Sequence, residues 1–376
     1  MKRLPLIALL FLGSFALRAQ EQTATDSLKV ISNKIIKMLD RSSLSAQIFL
    51  GYRYYNYKAS SSDFNEFAIK RGYISFSQAI TDRLSGRITP DITIDQEGDG
   101  EGDVEMRLKY CYMEYKHPGG SFFTNPTILF GEVYTPFIEF EEKINRYRVE
   151  GTHYLDRIKQ ISSADFGVTI RSELGGKMDE EYQKRVSKSH AGRFGSFALG
   201  VYNGGGYHAL EKNKNKTFQW RLTLRPLPTV VPGLQFTYTG AEGKGNTVDN
   251  PDWSLHAGMV SYEQEFITVT GQVFTAAGDF SGKYMDGNTL ESFDNYGYSA
   301  FAEVKILKKK VSLFGRYDTH TIEKAAFDVD AKRYIGGIAY HIIGKSKILI
   351  DYDYWESTDA TKPNVGVFEV ALELAF

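Results

Sequence analysis

The sequence predicts an all-β chain: a transmembrane, antiparallel up-and-down β-barrel of about sixteen strands preceded by a short N-terminal helix. Three observations carry that prediction. The chain ends in V-G-V-F-E-V-A-L-E-L-A-F, where Phe368, Val370, Leu372, Leu374 and Phe376 fall on one face and Val367, Glu369, Ala371, Glu373 and Ala375 on the other. That is the period-2 signature of a strand, apolar on one side, carboxylate-bearing on the other and closed by an aromatic residue. Aromatic residues make up 14% of the 376 residues, with 24 Tyr, 25 Phe and 35 Gly but only 10 Pro, a composition suited to many tilted strands with aromatic girdles. After Leu17 no apolar run approaches the roughly 20 residues that a spanning helix needs, and the mean hydropathy is −0.32.

Taken in order, residues 1–19 read as a secretory signal: Lys2 and Arg3, an apolar run from Leu4 to Leu17, and the small residue Ala19. Export to an outer membrane follows. Residues 20–43 form a periplasmic helix and linker, since Leu28, Ile31, Ile35, Met38 and Leu39 recur at helical spacing. The barrel domain occupies residues 44–376. Its strands are expected at 46–57, 67–80, 83–95, 103–115, 127–137, 165–174, 194–203 and 216–225. The series continues at 233–241, 253–262, 267–277, 295–304, 311–320, 332–341, 347–355 and in the closing strand. Short gaps alternate with long ones, as turns alternate with loops in such barrels. The gaps at 116–126 and 175–193 break the rule, marking either turn-side insertions or a slip in the count.

The bulk chemistry excludes several functions. A net charge of −1 gives no basic face for nucleic acid. The single Cys111 permits neither an intramolecular disulfide nor a Cys-rich metal site. The acidic run from Asp95 to Asp103 places Met106 where a calcium loop needs its bidentate Glu, so no metal and no cofactor are expected. No Ser–His pair can be placed on adjacent strand positions, and no enzyme activity is expected.

What remains is charge facing a lumen. Strict alternation turns Arg53, Arg71, Arg87, Arg107 and Lys109 inward on the first four strands, with Arg221, Arg225 and Arg316 further along. This wall either guides anions or forms a salt-bridge lattice with Asp91, Asp95 and Glu105. Glu369 and Glu373 of the closing strand are expected across the seam from Arg53. Strict alternation also turns Tyr110 and Tyr112 outward, with Tyr73, Tyr115 and Tyr134 as an inward aromatic cluster. The longest connection, 139–164, carries Lys143, Arg146, Arg148, Arg157 and Lys159 among nearly as many acids. It either folds inward as a constriction loop or lies as a self-paired surface loop.

Several segments resemble the phosphate-selective porin O and P family of bacterial outer membranes. They are Leu44-Ser-Ala-Gln-Ile-Phe-Leu-Gly-Tyr-Arg-Tyr54, Arg71-Gly-Tyr-Ile-Ser-Phe-Ser77 and Gly131-Glu-Val-Tyr-Thr-Pro-Phe-Ile-Glu139. Phe166-Gly-Val-Thr-Ile170, Phe197-Ala-Leu-Gly-Val-Tyr-Asn-Gly204, Arg221-Leu-Thr-Leu-Arg-Pro226 and Pro232-Gly-Leu234 continue the likeness. The resemblance implies a barrel embedded in outer-membrane lipid, usually a homotrimer, with the loop after the fifth strand folded into the pore and basic residues guiding anions. The resulting expectation is passive diffusion of small hydrophilic solutes, with preference for anions such as phosphate as its narrower form. The alternatives are a channel for sugars or hydrophobic compounds, a plugged structural or adhesive barrel, and a soluble secreted β-protein.

Overall fold

The computed structural model describes residues 32, 38–58, 63–95, 100–324 and 326–376. The expected signal peptide and most of the expected N-terminal helix lie outside these residues; of that helix, 32 and 38–40 are helical.

Sixteen antiparallel strands close into one barrel, each pairing with its sequence neighbours and the last with the first. They are β1 Ser42–Tyr57, β2 Phe64–Ala79, β3 Leu84–Ile94, β4 Val104–Lys116, β5 Phe123–Tyr134, β6 Ala164–Leu174, β7 Gly195–Tyr202 and β8 Thr217–Leu224. The circuit continues with β9 Leu234–Lys244, β10 Asp252–Glu263, β11 Ile267–Ala277, β12 Asp294–Ile306, β13 Val311–Ile322, β14 Val329–Ile343, β15 Ser346–Ser357 and β16 Val365–Ala375. Ile48 sits opposite Leu374 and Tyr54 opposite Phe368, so the closing strand seals the seam. Closure leaves no unpaired strand edge, which is what hydrocarbon demands of a spanning sheet.

The exterior is apolar at every second position. Ile74, Ile88, Phe130, Ile170, Leu222, Val260, Leu313 and Ile350 are exposed around the wall. Aromatic rings mark both rims of this belt. Tyr296, Tyr298, Tyr334 and Tyr352 are exposed toward the end carrying the long loops, and Phe76, Phe123, Phe236, Phe266 and Phe376 toward the turn end. Two amphipathic girdles around an apolar band fit a lipid bilayer with its interfaces.

The two gaps that broke the turn-and-loop rule both lie at the turn end. Residues 117–122 form a modest connection. Residues 175–194 form a folded insertion with helix α3, Glu180–Arg185, whose N-cap Asp179 accepts a hydrogen bond from the Tyr182 amide at 2.7 Å. The strand count therefore does not slip there.

Two departures from strict alternation matter for the lumen. Pro90 in β3 lacks an N–H for the ladder, and the register shifts there: Thr89 pairs with Tyr110 and Pro90 with Leu108, leaving Lys109 as the extra residue of a β-bulge. Everything beyond the bulge changes face. Tyr110 and Tyr112, expected outside, are buried in the lumen, while Tyr115, expected in the inward cluster, is exposed outside. A second shift, where Phe49 pairs with Arg71 and Leu50 with Ile69, bulges Lys70. Its ammonium turns inward with that of its neighbour, toward the Val149 carbonyl at 2.5 Å.

The fifth strand also stops earlier than expected. Its end at Tyr134 is set by Pro136, which occupies the first turn of helix α1, Pro136–Ile144.

Candidate functional site: a lumen crossed by one loop

Between β5 and β6 the chain folds into the barrel as α1, an extended stretch, and the short helix α2, Tyr154–Arg157. A dry seat holds it. Phe137, Ile138, Phe140 and Ile144 of α1, with Tyr154, Leu155 and Ile161, pack on Ala241, Trp253, Leu255, Ala257, Met259, Phe274 and Ala276 of β9–β11. The inner face of β10 from Trp253 to Met259, with Ala241, Phe274 and Ala276 beside it, is therefore apolar where a water-filled barrel would be polar. Burial of so many large side chains, each contributing about 1.5–3 kcal/mol, fixes the loop inside rather than over the mouth.

A second seat lies across the lumen. Tyr147 stacks on Phe314 with centroids 4.2 Å apart, its hydroxyl donates to Glu303 at 2.8 Å, and Val149 joins the same cluster with Phe49 and Tyr73. Cations of the wall then tie down the loop's carbonyls. Arg221 donates to the Pro136 carbonyl at 3.0 Å, Arg316 to that of Thr152 at 3.0 Å, and Lys347 to that of Arg146 at 3.0 Å. From below, the β6–β7 insertion meets α1: the His190 ring lies 2.8 Å from Glu139, Arg146 donates to the Val186 carbonyl at 3.3 Å, and Arg225 lies 4.9 Å over the Tyr182 ring.

Truncation of Trp253 to Ala empties the largest fully buried position of this seat. The expected cost is about 3–5 kcal/mol. Thermal unfolding of the reconstituted variant should shift down, and protease should cut within 145–153; an unchanged melt with a resistant loop would contradict this packing.

The loop spans the lumen from β8 through β15 to β2, leaving the wall of β2–β6 facing the remaining passage. Here the arginines are dealt with unequally. Arg53 lies opposite Glu369 in register, yet its guanidinium pairs with Glu66 at 2.6 Å. Glu369 takes Lys70 and Glu373 takes Lys347, so the expected pairing of both acids with Arg53 is corrected. Arg71 and Arg107 share the buried Asp91 at 3.6 and 3.4 Å, and Arg107 also reaches Glu105 at 3.6 Å.

Arg87 and Lys109 are different. Arg87 donates to the hydroxyls of Thr89 at 3.0 Å and Ser75 at 3.1 Å, with its guanidinium 5.0 Å over the Tyr110 ring. Lys109 reaches the Tyr73 hydroxyl at 3.4 Å and lies 4.7, 5.4 and 5.9 Å from the ring centroids of Tyr73, Tyr110 and Tyr207. Among the described residues neither has a carboxylate within ion-pair distance.

On the loop, Arg148 pairs with Glu142 at 3.6 Å but keeps its Nε and Nη2 buried without hydrogen-bond partners. Arg157 pairs with Glu150 at 2.9 Å, Arg146 with Glu263 at 2.6 Å; Lys143 is half-buried and Lys159 exposed. Burial pushes the His153 ring down to about 3, with Glu142 opposing it, so this histidine adds no charge near neutral pH.

Arg71, Arg87, Arg107, the buried Lys109 and Arg148 thus gather where the β2–β4 wall meets the loop, whereas Arg221, Arg225 and Arg316 hold the loop and the insertion. Sequence reasoning missed Arg171, which lies 3.5 Å from Glu114 and 5.2 Å over the Tyr134 ring, and Arg333, paired with Asp353. Both share the inward face of strands whose outward alternation was already readable. It also missed Lys70, for which the sequence carries no signal.

No protein-family model matches the chain, and no curated protein matches it. Among solved structures it is similar to the anion-selective porin from Comamonas acidovorans, with 11% identity over 89% of this chain and 99% of that one and a TM-score of 0.59. A loop L8 deletion mutant of OmpT, an outer membrane protein of Vibrio cholerae, gives 12% identity, 89% and 100% coverage and a TM-score of 0.57. The outer membrane channel DcaP of Acinetobacter baumannii gives 11%, 89% and 97%, and 0.56. At such identity the likeness is one of fold, and the fold is the closed sixteen-strand barrel of outer-membrane porins.

Proposed function

We propose that this chain is a passive outer-membrane channel for small hydrophilic solutes that favours anions. One observation carries the reading: Arg87 and the buried Lys109 stand on the inner face of β3 and β4 held by hydroxyls and rings, with no carboxylate at ion-pair distance among the described residues. Neutral partners leave more of a cation's field standing than a contacting carboxylate would, although Glu142 of the loop acts on Lys109 from beyond ion-pair distance, and low-dielectric walls focus that field into the lumen. Nη2 of Arg148, buried without a hydrogen-bond partner while Nε faces Glu142 at 3.6 Å, adds a guanidinium donor of a kind suited to oxyanions. No bond is made or broken; charge and width set the rate of passage.

The same reading assigns residues 1–19 to an export signal, the loop-bearing end to the outside, and the assembly to a homotrimer, as the resemblance to phosphate-selective porins implies. Phosphate is the anion that this resemblance favours. Inorganic phosphate titrated into a KCl-bathed channel is expected to lower the single-channel current along a saturable curve, and Lys109→Gln to weaken that block several-fold. A strictly linear response to phosphate would remove the phosphate preference and leave a general channel.

A further inference from the structure

A second cavity lies apart from the passage, on the opposite wall. Its volume is about 230 Å³, and it sits between the constriction loop and the outer ends of β13, β14 and β15, where Ile322, Val329 and Ser357 mark its rim. Its chemistry differs from that of the passage. Tyr154, Tyr284, His320 and Trp355 supply four rings, and Arg157 and Arg333 two guanidinium groups.

The rings are held in place. Tyr284 donates to the Ile158 carbonyl at 3.0 Å and lies 5.6 Å from the His320 ring, and Tyr154 donates to the Thr319 carbonyl. The positive charge is only partly answered. Arg157 spends Nη2 on Glu150, and its buried Nη1 has no hydrogen-bond partner, facing Asp318 only at 3.8 Å. Asp318 also borders the cavity, but Arg316 already holds its carboxylate at 2.7 Å. Lys362 adds a further cation at the rim, 3.6 Å from Asp359.

We propose that this cavity binds a small organic anion built on a single ring, of which an aromatic carboxylate is the simplest. Size sets the upper limit, because the space is below the roughly 300–1,000 Å³ of pockets for drug-sized ligands and suits one ring with one charged group. The ring lies among Trp355, Tyr284 and His320, where planar faces give stacking that an inorganic ion cannot use. The carboxylate turns toward Nη1 of Arg157, giving a hydrogen bond to a donor whose nearest acid, Asp318, stands 3.8 Å away. Such a site at the loop end would hold ring-bearing anions beside the mouth of the passage; it rests on the channel reading for its biological purpose but not for its chemistry.

The test is calorimetric titration of benzoate into the full-length protein in detergent, with acetate, inorganic phosphate and cyclohexylamine as comparison probes. Saturable benzoate binding is expected, at least tenfold tighter than acetate or phosphate, with cyclohexylamine inert. Trp355→Ala should weaken it at least tenfold. Tyr284→Ala, in the connection between β11 and β12, gives the same test should the first variant not fold. Equal affinity for acetate and benzoate, or benzoate binding untouched by either variant, would overturn the proposal. Conductance is read separately on the wild-type protein. Conductance without benzoate binding removes the site and keeps the channel, while binding without conductance keeps the site and removes the channel.

Discussion

Replacing residues 139–161 by a short Gly-Ser linker should raise single-channel conductance several-fold. A sixteen-strand barrel encloses a lumen wider than side chains alone can fill, so whatever crosses it sets the resistance. Here the crossing element touches nearly the whole circuit, from Arg221 on β8 to Lys70 on β2. The barrel's own ladder does not depend on the loop, since every strand is paired on both sides. The variant should therefore still insert and migrate as a heat-modifiable barrel, though less stable because Trp253, Leu255, Met259 and Phe274 lose their cover. Unchanged conductance from an inserted, loop-less barrel would show that resistance lies elsewhere.

The second large effect is on ion choice. Arg87→Glu combined with Lys109→Glu changes the lumen wall by four charges, from two cations without a contacting carboxylate to two carboxylates. Arg71 and Arg107 cannot compensate, because both are drawn to Asp91. The zero-current potential in a KCl gradient should change sign, and conductance for chloride should fall several-fold. Reversing Arg221 or Arg316 instead should chiefly damage loop anchorage, because those guanidinium groups are spent on loop carbonyls and buried hydroxyls. A wall reversal that leaves the potential unmoved would return Arg87 and Lys109 to a purely structural role.

The strands were legible because lipid imposes one uniform demand. Every second residue must be apolar, and that alternation is visible wherever it is not interrupted, as in β16 from Phe368 to Leu374. The lumen imposes no such uniformity. It mixes apolar patches such as Trp253 to Met259 with polar ones such as Thr237, Thr239 and Gln272, so faces had to be assigned by counting, and counting fails at a bulge. Tyr110 and Tyr112 went astray for that reason, although Pro90 inside a strand was the available warning. The dry seat had a signal too: Trp253, Leu255, Ala257 and Met259 share one face with Glu263, which marks that face as interior. The partners of individual charges were not legible. Arg53 and Glu369 are opposite in register and still pair elsewhere, because long side chains choose among several neighbours within reach.

The central claim is that this barrel conducts passively and prefers anions because Arg87 and Lys109 stand on its lumen wall without a contacting carboxylate. Purified wild-type protein in a planar bilayer under an asymmetric KCl gradient tests it most directly. The account predicts stepwise conductance and a zero-current potential of the sign set by chloride permeating faster than potassium. A silent bilayer, or steps with a potential of the opposite sign, would contradict it.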